Sequence, residues 1–180
     1  LGMEDKFKKA VKKCGFDINE LYDMEPDAGL GNGGLGRLAS CYLDSMTSVG
    51  LPGTGFSIRY EFGIFKQKIV DGWQMEFPDD WLNMGDVWLK TREDDAVEVR
   101  LGGETHEWVE DGEFRSEHVN YQSVMAVPHD LFISGYGTDK VNKLTLWSAE
   151  QPRGFDMAAF SRGDYVAALE RDTMAQTISK

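Results

Sequence analysis

The sequence predicts an α/β protein: helices first, then a mixed sheet with β-hairpins, then a last helix. Apolar residues recur at helical spacing as far as Met46, the period changes to two from Gly55, and Asp-Gly and Gly-Gly pairs punctuate the stretch that follows. Taken in order, Met3, Phe7, Ala10, Val11 and Cys14 share one helical face, and Gly15 ends that helix. Asp17-Ile18-Asn19-Glu20 has the form of a capping box and opens a short second helix that stops by Glu25-Pro26. Five glycines lie between Ala28 and Gly36, after which Leu35, Leu38, Ala39, Tyr42, Leu43 and Met46 form an apolar stripe. That third helix should end near Gly50, with Pro52 beyond it.

Phe56, Ile58, Tyr60 and Phe62 then alternate with Ser57, Arg59 and Glu61, the pattern of a half-buried strand. Residues 64–70 and 73–77 flank Asp71-Gly72, a pair suited to a tight hairpin turn. Val97, Val99 and Leu101 lead to Gly102-Gly103, Trp108-Val109 lead to Asp111-Gly112, and residues 123–127 and 143–147 read as extended. Asp164 can cap a last helix through Val166, Ala167, Leu169, Arg171 and Ile178. The expected organisation is a glycine loop and helix over 28–49, a β-rich segment over 54–148 and a helix over about 164–180. These form one structural unit, and the helical patterns at both ends read as cut, which suggests part of a larger protein.

With 31 acidic and 19 basic residues in 180, the net charge is −12, which argues against nucleic-acid or anionic-membrane surfaces. A hydrophobic content of 41% is that of a globular chain, and no apolar run is long enough to span a membrane. Cys14 and Cys41 alone support neither a disulfide framework nor a zinc site, so a reducing, cytoplasmic setting is expected.

Gly29-Leu30-Gly31-Asn32-Gly33-Gly34-Leu35-Gly36-Arg37 is the segment with the clearest chemical reading. Without a Cβ, glycine brings bare N–H groups close to a ligand, and a helix N-terminus favours an anion such as phosphate. The dinucleotide pattern fits twice, at Gly29/Gly31/Gly34 and at Gly31/Gly33/Gly36, but an acidic, proline-broken stretch precedes it in place of an apolar strand. No Gly-Lys-Ser/Thr follows, which excludes a Walker loop. A flexible or tightly packed glycine turn with no ligand remains the other reading.

Other features favour structural roles. His106, His118 and His129 lack metal-ligand spacing, so no metal is assigned, and the residues around Ser57 lack the last glycine of a nucleophile elbow. Asp79-Asp80 is read as a solvated loop pair, and Trp73, Trp81 and Trp88 are assigned to packing in preference to sugar stacking.

The run from Glu25 to Cys41 closely resembles the glycine-loop segment of the glycogen (α-glucan, or maltodextrin) phosphorylases. Asp44-Ser45-Met46, Ile58-Arg59-Tyr60-Glu61-Phe62-Gly63-Ile64-Phe65, Gly72-Trp73-Gln74-Met75-Glu76, Asp80-Trp81-Leu82 and Leu146-Trp147-Ser148-Ala149 resemble further landmarks of that family, in family order. The resemblance implies part of the N-terminal domain of a two-lobed, Rossmann-like glycosyltransferase-B enzyme. Such an enzyme releases glucose 1-phosphate from an α-1,4-glucan with inorganic phosphate, assisted by pyridoxal 5'-phosphate, and generally forms a homodimer.

By position, Gly33 and Gly34 would offer N–H groups to phosphate oxygens of substrate and cofactor, Leu35 would touch the glucosyl unit, Asn32 would shape the loop, and Leu38 would be a neighbour. The resemblance places the family's cofactor lysine outside this chain, and Lys66, Lys68 and Lys90 do not match its motif. This segment alone is therefore expected to be inactive. Pro52-Gly53-Thr54 departs from the family pattern, Arg92 is read as a surface residue, and Trp81 or Trp88 could serve the dimer interface. The alternative is a non-catalytic module that binds phosphate or glucan.

Overall fold

The computed structural model describes residues 2–83, 87–152 and 157–179. The helices are α1 (Glu4–Lys13), α2 (Ile18–Met24), α3 (Gly34–Ser48), α4 (Met157–Ser161) and α5 (Tyr165–Ser179). The strands are β1 (Thr54–Ile58), β2 (Lys66–Val70), β3 (Trp73–Phe77), β4 (Leu89–Thr91), β5 (Val97–Leu101), β6 (Glu104–Glu110), β7 (Glu113–Val119), β8 (Gln122–Ser134) and β9 (Val141–Glu150). Helices combine with a mixed sheet, as an α/β reading requires. By packing the chain falls into two compact units, residues 1–91 with 129–147 and residues 92–128 with 148–180.

In the first unit the strand order is β1-β9-β8-β4, with β1 parallel to β9 and β4 antiparallel to β8. Leu43 of α3 joins Trp81, Leu144 and Leu146 in the core, and Leu146 is 1% exposed. Burying a leucine so fully contributes about 1.5–3 kcal/mol. The buried Asp130 carboxylate accepts from Thr145 Oγ1 at 2.8 Å and lies 3.3 Å from Lys143 Nζ, which offsets its desolvation. Local chemistry sets several boundaries. Asp17 caps α2 by accepting from the Asn19 N–H at 2.7 Å, and Asp71 and Gly72 take φ values of 51° and 82° between β2 and β3.

Two expectations are corrected here. The strand predicted through Phe62 ends at Ile58, apart from one further bond from Arg59 N–H to Trp147 O at 2.9 Å. Beyond it, the Tyr60 carbonyl accepts from Trp81 Nε1 and the Gly63 N–H donates to Asp79 O, so the ladder cannot continue. The strand also presents the opposite face inward. Phe56 is 69% exposed, whereas a Cβ at Gly55 would lie 2.8 Å from Leu144 Cδ1 and 3.2 Å from Leu43 Cδ2. Helix α3 packs over the small-residue face of β1.

The same packing rotates α3 away from its expected stripe. Leu35, Leu38 and Tyr42 are exposed, while Gly36, Ser40, Leu43 and Thr47 form the inward line. Thr47 Oγ1 donates to Leu43 O at 2.7 Å, which satisfies its hydroxyl within the helix. At the Pro52-Gly53-Thr54 departure, the Asn142 side chain donates to Leu51 O and accepts from Gly53 N–H, which defines the turn's shape.

In the second unit β5 runs antiparallel to residues 122–126 of β8, and β6 pairs antiparallel with β7 across Asp111-Gly112, whose φ values are 53° and 81°. Val124, Val127 and Ala175 are buried. Helix α5 begins just after Asp164, as expected, although Val166 is exposed. The side chains of Ala167, Leu169 and Arg171 lie outside the described residues. Strands β8 and β9 exceed the predicted 123–127 and 143–147, and β4 and α4 have no counterpart in the sequence reading.

Candidate functional site at the glycine loop

Helix α3 begins inside the glycine run, with Gly33 at its N-cap and Gly34, Leu35 and Gly36 as its first turn. The first helical bond runs from Arg37 N–H to Gly33 O at 3.4 Å, so the N–H groups of Gly34, Leu35 and Gly36 have no acceptor within the helix. Gly33 has a φ of 149°, which a side chain rarely adopts. A Cβ at Gly33 or Gly34 would meet nothing within 4 Å, so this backbone is open to an incoming group.

The rest of the loop is packed. Gly29 is buried against Trp81, and Gly36 sits on the backbone of Leu30 and Gly31, where a Cβ would come within 2.7 Å of Leu30 O. A cavity of about 230 Å³ opens beside the loop, lined among others by Gly31, Gly33, Arg37, Phe65 and Asp79. Of the predicted site residues, Gly33 lines this cavity. Gly34 and Leu35 lie at the adjoining helix start, with Leu35 85% exposed; Asn32 and Leu38 are exposed. The structure adds Arg37 and Asp79, which the sequence reading left out of the site. Arg37 had a signal, because it falls on the first turn after the glycines and brings the cationic charge nearest the loop in sequence.

Several side chains depart from the roles first expected of them. Asp79 is half-buried and lies 3.3 Å from Lys66 Nζ, so it is not a solvated loop carboxylate, whereas Asp80 is exposed. Trp81 is 8% exposed, which suits packing and removes it from a dimer surface; Trp73 and Trp88 are exposed, and the Trp88 indole N–H donates to Glu25. Arg92 pairs with Asp95 and is half-buried, where a surface position was expected. His129 is buried and bonded to Thr91 Oγ1 at 2.8 Å, and His118 Nε2 donates to Gly102 O at 2.7 Å. Among the described residues, no group of three His, Cys, Asp or Glu could hold a metal ion, and no helix is long and apolar enough to cross a membrane. Cys14 and Cys41 are free thiols.

The sequence model of the carbohydrate phosphorylases matches residues 11–180. The chain belongs to the carbohydrate phosphorylase family. It is 45% identical over its whole length to a glycogen phosphorylase of Chlamydia pneumoniae, 44% to the liver form of human glycogen phosphorylase and 41% to a glycogen phosphorylase of Synechocystis. It spans only 21–22% of the length of these phosphorylases. The donor set at Gly33 and Gly34 suits a phosphate group such as that of pyridoxal 5'-phosphate: bare N–H groups at a positive helix end, with no side chain in the way. Lys66 is paired with Asp79 and Lys68 lies over the Phe77 ring at 5.2 Å.

Proposed function

We propose that this chain supplies the glycine loop in the N-terminal lobe of a glycosyltransferase-B α-1,4-glucan phosphorylase, and that the whole enzyme releases glucose 1-phosphate from glycogen, starch or maltodextrin. Family membership supports the reaction class. The observation that carries the site is the open backbone at Gly33 and Gly34 on the N-terminus of α3.

In that reaction the C1–O bond to the departing sugar breaks, a C1–O bond to phosphate forms, and the departing oxygen gains the proton that the attacking inorganic phosphate gives up. Negative charge is present on the phosphate throughout while positive charge grows on the sugar ring. The N–H groups of Gly33 and Gly34, reinforced by the helix dipole, hold the phosphate oxygens in place without reorganisation, the condition under which electrostatic stabilisation is strongest. Leu35, exposed at the helix start, covers the glucosyl unit and excludes water, Asn32 shapes the turn, and Leu38 lies one turn further along α3. Pyridoxal 5'-phosphate, when bound, supplies a second phosphate for proton exchange, which Gly33 and Gly34 would hold. A homodimer is proposed with the enzyme, and Trp88, 67% exposed, is available to such a surface where Trp81 is not. A cytoplasmic location accompanies this reading.

The test is glucose 1-phosphate release from maltodextrin by the full-length protein, supplied with phosphate and pyridoxal 5'-phosphate. Release that depends on phosphate supports the proposal. Binding of phosphate or glucan without product would identify a non-catalytic module and overturn it.

A further inference from the structure

Gly29 and Gly63 lie on segments that cross each other beneath one side chain. A Cβ at Gly29 would be 2.5 Å from Trp81 Nε1, 2.7 Å from Trp81 Cδ1 and 3.1 Å from Gly63 Cα. The indole is therefore in direct contact with the stem of the glycine loop, and no other residue type fits between them. Its Nε1–H donates to Tyr60 O at 3.0 Å, while the N–H groups of Trp81 and Gly63 both donate to Asp79 O, at 2.9 and 2.8 Å. Trp81 also shares a core with Leu43, on the helix that the loop opens. From Gly29 the chain reaches the contact of Leu30 and Gly31 with Gly36, and so the first turn of α3. The open donors of Gly33 and Gly34 lie on the short stretch of chain between these two packed points.

From this we infer that Trp81 is a positioning residue for the anion cradle: by bearing on Gly29 and anchoring Tyr60, it sets where the Gly33–Leu35 N–H groups stand. The inference rests on the proposed role of the glycine loop and names a residue that acts on it from outside the cradle. A displaced hydrogen-bond donor loses the phosphate, whereas of the glucan contacts only that of Leu35 lies on the displaced segment, so the effect falls mainly on phosphate.

The test uses the full-length protein and Trp81→Phe, which keeps an aromatic ring and removes the indole N–H. Trp81 also supports the core, so Gly29→Ala probes the same contact from the loop side, and Gly34→Val serves as the control on the cradle itself. The expected result for Trp81→Phe and Gly29→Ala is a rise in KM for inorganic phosphate of about tenfold to a hundredfold, the range for a donor misplaced by about 1 Å. KM for maltodextrin should stay within about twofold, an order-of-magnitude allowance for sites left in place. Weaker binding of inorganic phosphate by calorimetry should accompany it. The double variant should lose less than the product of the two single losses, because the contact is already broken. If Gly34→Val weakens phosphate while both clamp variants leave its KM unchanged, or raise both KM values alike, Trp81 only packs and the inference is overturned. If Gly34→Val also leaves phosphate binding intact, the loop reading fails first and the inference falls with it.

Discussion

A methyl group added at Gly29 or Gly36 would run into Trp81 or into the Leu30 carbonyl, whereas the same methyl at Gly33 or Gly34 would meet open space. All four glycines belong to one short run, and any motif scores them alike. The first pair is glycine because neighbouring protein atoms leave no room. The second pair has room: the φ of 149° at Gly33 itself favours glycine, and at Gly34 the open space is what the proposed anion cradle requires. The difference separates packed from open backbone inside a single loop, and the proposed role of the open part can be attacked from both sides.

The largest effect expected is at the open end. Gly34→Val in the full-length protein should lower phosphorolysis by about a hundredfold or more, the cost of losing an aligned donor at an anionic centre. Its thermal midpoint should stay close to that of the unaltered protein, since no atom lies within 4 Å of the added Cβ. Equal loss of activity and stability would erase the distinction. At the packed end, Gly36→Ala should destabilise by about 1–3 kcal/mol, as overpacking does. Both atoms in the way, Leu30 O and Gly31 Cα, are backbone and cannot swing aside. Denaturant unfolding would measure it, and an unchanged midpoint would show that the loop is looser than its contacts indicate.

A smaller effect belongs to Asp17, whose carboxylate caps α2 away from the loop. Asp17→Ala should cost about 1 kcal/mol and leave phosphate kinetics alone. The smallest is at Glu4, where a hydrogen bond from the Lys8 ammonium holds the carboxyl below its usual range. A lowered pKa in the folded state means the pair's contribution is present above the ordinary carboxylate range and is lost as pH falls through the lowered value. Both groups are solvent-exposed, so Glu4→Gln should leave the midpoint at neutral pH unchanged, and a clear drop would show that α1 carries more than its exposed face indicates.

Features governed by neighbours in sequence were legible before the fold was known. The hairpin turns at Asp71-Gly72 and Asp111-Gly112, the Asp17 cap and the end of α3 just before Gly50 all follow from local sterics and hydrogen bonding. Features set by distant partners were not. The apolar stripe of α3 suggested that Leu35, Leu38 and Tyr42 face inward, yet Gly55 on β1 admits Leu43 and turns the small residues of the helix toward the sheet. The alternation around Phe56 revealed a strand, but a period of two cannot say which face a helix will cover. Short β4 was hidden because three residues carry no period, and it exists through its pairing with residues 129–131 of β8.

For the site, the sequence by itself determined the family, the five glycines and a helix N-terminus with unpaired donors. These depend on residue type and on order along the chain. Only the tertiary structure decided which glycines are filled and which stand open, that Asp79 is tied to Lys66, and that Trp81 lies on Gly29, fifty-two positions away in the chain. Whether a glycine's missing side chain makes room for the protein or for a ligand depends on what stands opposite it, and sequence neighbours do not supply that.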